Sequence, residues 1–136
     1  MSINHVIDTY AWIEYFKASK MGETAREYIE SEHSVTPTIV VSEISRILQR
    51  DIGLGNETCE GRLQRLEFIS STSRIVGLDF KTAVEAGEIN EKLKEQAKGW
   101  GLTDSIILCI ARNINGKVIT GDEHFRNLKD VVFIKP

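Results

Sequence analysis

Cysteine is scarce in this chain. Cys59 and Cys109 stand far apart and form no C-x-x-C pair, which argues against a disulfide framework and a zinc knuckle. Neither His5 nor His33 lies in an H-E-x-x-H frame, so the usual helical zinc motif is missing. No apolar run is long enough to span a bilayer. The sequence does not open on a basic stretch followed by an apolar one. No signal peptide is therefore expected, and a reducing cytoplasm is the expected compartment. Positive charge is not in excess either. Lys and Arg number 17 against 20 Asp and Glu, for a net charge of −3. That balance argues against holding nucleic acid by bulk charge. It leaves room for a small basic patch or a bound metal that changes the local sign. The stretch "GLGNETCEG" has glycines but neither a Walker lysine nor dinucleotide-loop spacing, which argues against a nucleotide cradle.

What is present suits one domain over residues 1–136. Hydrophobic residues make up 41% and charged residues 27%, the mix of an ordinary globule with a core of its own. Five short β-branched runs read as strands: "NHVI", "HSVT", "RIVGL", "GKVIT" and "VVFIK". Helical spacing follows the first, through Trp12, Ile13, Tyr15 and Phe16, which read as core or dimer surface. It recurs in "ETAREYIE" and in "TIVVSEISRILQR", with Thr36 as cap, Pro37 in the first turn and a stop near Gly53. In "ETCEGRLQRLEFI" Asn56 is the expected cap, and Cys59, Leu63 and Leu66 share a side. Asp79 caps a helix expected to end near Gly99, on which Glu85 and Glu88 read as a solvated face. "TDSIILCIARN" is apolar on nearly every side and should be buried, with Cys109 as a small core residue. Trp100, just before it, reads as packing or as cover for its loop. Strands alternating with helices imply an α/β fold whose mostly parallel sheet is covered on both faces.

Four carboxylates break this pattern. Asp8 ends the strand "HVI", and Asp122 holds the same place after "KVIT". Glu43 shares a helical stripe with Val40 and Ile47, and Asp104 shares one with Ile107, Leu108 and Ala111. Each has an ordinary explanation. Asp8 and Asp122 could be turn residues. Asp104 could meet the helix dipole, with Thr103 as cap, and Glu43 could pair with Arg46 or Arg50. Together the four point to one end of the sheet, where open parallel sheets bind ligands. Clustered carboxylates raise one another's pKa and need a cation or shared protons. Oxygen-only donors favour hard ions such as Mg²⁺ or Mn²⁺ over Zn²⁺, and such an ion suits phosphodiester hydrolysis.

The chain resembles the PIN-domain family, especially the VapC-type toxins of prokaryotic toxin–antitoxin pairs. The resemblance rests on "VIDTYAWIEYF", "SEISRIL", "LTDSIILCIA" and "VITGDEHF", in that order over nearly the whole chain. It implies a three-layer α/β/α sandwich and an Mg²⁺- or Mn²⁺-dependent endoribonuclease. It maps the acidic site onto Asp8, Glu43, Asp104 and Asp122 for metal binding and catalysis, with the Thr120 hydroxyl in support. It also implies homodimers, an RNA substrate and a protein antitoxin that blocks the site. His124 is a departure, since many relatives carry another Asp there, and it reads as a surface-loop residue outside the core site. Rival readings are a nuclease of the same fold in RNA processing or DNA repair without an antitoxin, and a non-catalytic binding module. The module reading expects lost acids, and none of the four is missing. A phosphoacceptor domain would want paired acids near the first strand, and Asp8 has no acidic neighbour.

Overall fold

The computed structural model describes residues 2–135. The β-branched runs form β1 (Asn4–Ile7), β2 (Ser34–Pro37), β3 (Arg74–Val76), β4 (Gly116–Thr120) and β5 (Val131–Phe133). Between them lie α1 (Thr9–Phe16), α2 (Lys20–Ile29), α3 (Thr38–Gly53), α4 (Cys59–Thr72), α5 (Phe80–Leu93) and α6 (Leu102–Asn113). The strands pair in the order β3-β2-β1-β4-β5, and every pairing is parallel. The chain steps from β1 to β2 to β3, then returns to the other side of β1 for β4. Since parallel crossovers are right-handed, this reversal sets the helices of the two halves on opposite faces. In keeping with that, α1 packs on α2 and α3, while α5 pairs with α6.

Val6, Ile7, Val118 and Ile119 of the two central strands are fully buried, and Trp12, Ile44 and Leu108 close over them from the helices. Helix α6 is buried from Ser105 through Ala111, as its all-round apolar sequence predicts. Its outer side, with Cys109, packs against Ala86 of α5. Among the described residues, no helix is long and apolar enough to cross a membrane.

Several boundaries differ from the sequence reading. Pro37 ends β2 in an extended conformation (ψ 145°), and α3 starts after it with no side-chain cap. Thr36 is no cap. It is buried, accepts the Trp12 indole N–H at 3.0 Å and shares a 2.7 Å hydrogen bond with Ser73. A buried indole N–H requires a partner, and that need outweighs capping. Helix α4 is capped by Thr58, whose hydroxyl accepts the Gly61 amide at 2.9 Å. Asn56 instead gives its amide to the Asp51 carbonyl in the turn that ends α3. Of the row Cys59, Leu63 and Leu66, only Leu66 packs on the core, and Leu63 is exposed. Helix α5 stops at Leu93. Turns carry the chain on to Gly99, whose φ of +82° redirects it to the buried Trp100.

Candidate active site

The reversal of strand order makes the carboxyl ends of β1 and β4 a switch point, where a parallel sheet leaves a crevice. Asp8 follows β1 directly, and Asp122 lies two residues past β4. Glu43 arrives on α3, and Asp104 in the first turn of α6. All four line one cleft of about 370 Å³, walled on its apolar side by Ile13, Ile47 and Ile107.

Hydrogen bonds orient each carboxylate, local ones for the three aspartates and one from another helix for Glu43. Asp8 caps α1, its Oδ1 accepting the Ala11 amide at 2.9 Å. Glu43 Oε1 accepts the Thr9 hydroxyl at 2.6 Å. Asp104 Oδ2 accepts the Gly101 amide at 3.1 Å, so Gly101 rather than Thr103 stands at the cap of α6. Asp122 Oδ1 accepts the His124 amide at 3.0 Å, starting a short 3₁₀ turn over Glu123–Phe125. Thr120 is fully buried, and its hydroxyl accepts the Asp122 amide at 2.9 Å. The entry to α6 is fixed separately: the Trp100 indole N–H donates to Ser105 at 2.7 Å, and its ring packs edge-on against Phe125.

The electrostatics are those of an uncompensated cluster. Burial pushes the Asp8 carboxyl up to about 7, helped by the charges of Asp122 and Asp104. The Thr120 hydroxyl and the Ala11 amide oppose this only in part. Burial also raises Asp104; the Gly101 amide and His124 pull it down, while Asp122 and Glu43 push it further up. Among the described residues, no Lys or Arg lies within ion-pair distance of any of the four acids, and the one basic contact is His124. Lys17 lines the cleft but pairs with Glu14 at 3.6 Å.

The sequence reading left His124 in a surface loop outside the core site; the structure keeps it partly exposed but beside two of the acids. Its Nδ1 lies 3.2 Å from Asp122 and 3.8 Å from Asp104. One donor atom from each of Asp104, Asp122 and His124 falls within 4.8 Å of the others. Ligands about 2.1 Å from one octahedral ion stand about 3 Å apart when adjacent and about 4.2 Å apart when opposite. Asp104, Asp122 and His124 are thus near enough to suit a divalent cation held mainly by carboxylate oxygens, while Asp8 and Glu43 line the same cleft outside that group of three. Thr9, which holds Glu43, also went unread in the sequence. Its signal was its place beside Asp8 at the start of a helix, which suits many roles.

A PIN domain family model matches residues 5–131. The chain has no match among curated protein sequences. Solved structures with the same architecture include a toxin–antitoxin complex from Klebsiella pneumoniae. The two share 21% identity with a TM-score of 0.71, over 95% of this chain and 96% of that one. VapBC-1 from nontypeable Haemophilus influenzae shares 19% identity with a TM-score of 0.71, over 96% of each chain. VapC20 from Mycobacterium tuberculosis, a toxin that cleaves the sarcin–ricin loop, shares 16% identity with a TM-score of 0.70, over 98% of this chain and 100% of that one. At these identities the likeness is one of fold.

Proposed function

The chain belongs to the PIN domain family, and from that premise we propose that it is an endoribonuclease using Mg²⁺ or Mn²⁺ to hydrolyse RNA phosphodiester bonds. It acts as the toxin of a type II toxin–antitoxin pair, a cytoplasmic homodimer of single domains spanning residues 1–136. The observation that supports this most is the cleft where four acids converge at the sheet's switch point with, among the described residues, no Lys or Arg paired to them. In this reading Asp8, Glu43, Asp104 and Asp122 hold the ion. When bound, it supplies Lewis acidity, activating water and offsetting charge that builds on the phosphate.

The protein's own groups set the geometry. Thr9 orients Glu43 through the 2.6 Å bond to Oε1, and Thr120 anchors the backbone of Asp122. Ile13, Ile47 and Ile107 give the cleft an apolar wall, which lowers the dielectric on one side of the acids. Burial raises the Asp8 carboxyl to about 7, so near neutral pH it is shared between protonated and ionised forms, and a bound cation would favour the ionised one. The antitoxin belongs to the same reading, since similarly folded proteins have been solved as toxin–antitoxin complexes.

The test is to map cellular RNA ends after induced expression of the parent and of Asp104→Asn. Discrete new ends with the parent, and none with the folded variant, are expected. The same new ends from both proteins would remove Asp104 from the chemistry, and no new ends from the parent would remove the ribonuclease.

A further inference from the structure

His124 is seated, not merely nearby. Its backbone amide is tied to Asp122 Oδ1 at 3.0 Å, which fixes where the side chain leaves the short turn. On the far side the ring rests against Gly99. A Cβ at that position would lie 2.7 Å from His124 Nε2, and Gly99 holds a φ of +82° besides. Lack of a side chain and a left-handed backbone are both properties of glycine. The seat turns Nδ1 toward Asp122 at 3.2 Å and Asp104 at 3.8 Å. The first spacing is close to the roughly 3 Å between adjacent ligands on one octahedral ion, and the second falls between that and the roughly 4.2 Å of opposite ones. A solvated loop histidine would need neither the seat nor the spacing.

Resting on the reading of the acids as metal ligands, we propose that His124 adds one imidazole nitrogen to the centre and tips it from Mg²⁺ toward transition-metal dications. Mg²⁺ is hard, binds oxygen donors and gains little from imidazole. Later first-row ions such as Fe²⁺, Ni²⁺ and Zn²⁺ favour imidazole, and Mn²⁺, at the weak end of that series, gains less than they do but more than Mg²⁺. Carboxylates alone hold either class. One nitrogen among them is enough to separate the classes by affinity. Gly99 is the positioning residue, because its missing side chain lets the ring reach the acids.

Mn²⁺ is the probe, because its free form is counted directly by electron paramagnetic resonance and Mg²⁺ competes for the same site. The parent should prefer Mn²⁺ to Mg²⁺. Replacing the nitrogen by oxygen in His124→Asp should narrow that preference measurably. Gly99→Ala, which crowds the ring from a left-handed position two residues before the Gly101 amide that holds Asp104, should weaken Mn²⁺ more than Mg²⁺. With ¹⁵N-labelled histidine, spin-echo spectra of the Mn²⁺-loaded parent should show directly bonded nitrogen, and those of His124→Asp should not. An unchanged preference in His124→Asp overturns the inference. So does a parent without nitrogen coupling. If Asp104→Asn still abolishes Mn²⁺ binding in either case, the acidic centre stands without His124. Mn²⁺ that binds undiminished to Asp104→Asn overturns the centre itself, and the inference with it.

Discussion

At Asp8 one carboxylate caps a helix while only 4% of the residue meets water. Burial lifts its pKa from 3.8 to about 7. In the metal-free protein the folded chain keeps a proton that the unfolded chain has lost across that window. Stability is therefore full below the unfolded value and falls as pH rises through the folded one, by on the order of 4 kcal/mol. Asp8→Asn retains the cap, since Asn caps as well as Asp, and removes the charge. In chelator the variant should resist urea better than the parent above the window and equally below it. A variant weaker above the window would contradict the shift. Thr9→Val keeps the shape of residue 9 and loses the donor to Glu43, so divalent-ion affinity measured by calorimetry should fall roughly tenfold. Unchanged affinity would make that hydrogen bond incidental. Asp8, Glu43, Asp104 and Asp122 stand out in the sequence because a carboxylate on an apolar stripe or strand end violates the pattern. Thr9 and His124 violate nothing. Their place beside the acids depends on where a hydroxyl and a ring point, which spacing does not encode.

Among the elements, all five strands and six helices follow from hydrophobic period and β-branching, while their ends follow from hydrogen bonds that span the fold. Thr36 looks like a cap in sequence, but a buried indole claims its hydroxyl. Asn56 looks like one too, yet its amide closes the turn after α3 and Thr58 does the capping. Such competition between local and distant partners is invisible to a one-dimensional reading. Close helix packing is equally hidden. Gly22 of α2 lies so near α1 that a Cβ would collide with the backbone of Glu14 and Tyr15. Gly22→Ala should cost roughly 1–3 kcal/mol by displacing one helix from the other. Gly87, inside α5, has nothing within 4 Å of an added Cβ, so Gly87→Ala should stabilise by about 0.5–1 kcal/mol through helix propensity alone. Chemical denaturation of the two variants gives opposite signs if the packing is as described, and the same sign if α1 and α2 are not held this closely.

Over the whole molecule the net charge is only −3, so the acidity matters because of where it gathers. The fold brings its uncompensated carboxylates to one switch point. A guanidinium from a partner would meet them with bidentate contacts and compete with the ion. A bound antitoxin should then lower both metal affinity and RNA cleavage, and unchanged values would place it elsewhere on the surface. A cation that binds the native cluster and not the unfolded chain stabilises by about 2.7 kcal/mol at a hundred times its dissociation constant. For a chain of this size that amounts to about 10 °C or somewhat less in melting temperature. The most direct measurement is a thermal melt of the parent and of Asp104→Asn, in chelator and in saturating Mn²⁺ at matched ionic strength. If the four acids form a metal centre, Mn²⁺ raises the parent's melting temperature by that amount. The variant then melts at or above the parent in chelator and hardly responds to Mn²⁺. If Asp104 serves only the dipole of α6, its loss costs about 0.3–1 kcal/mol whatever the metal. A variant that melts below the parent in chelator and still gains fully from Mn²⁺ would contradict the metal centre.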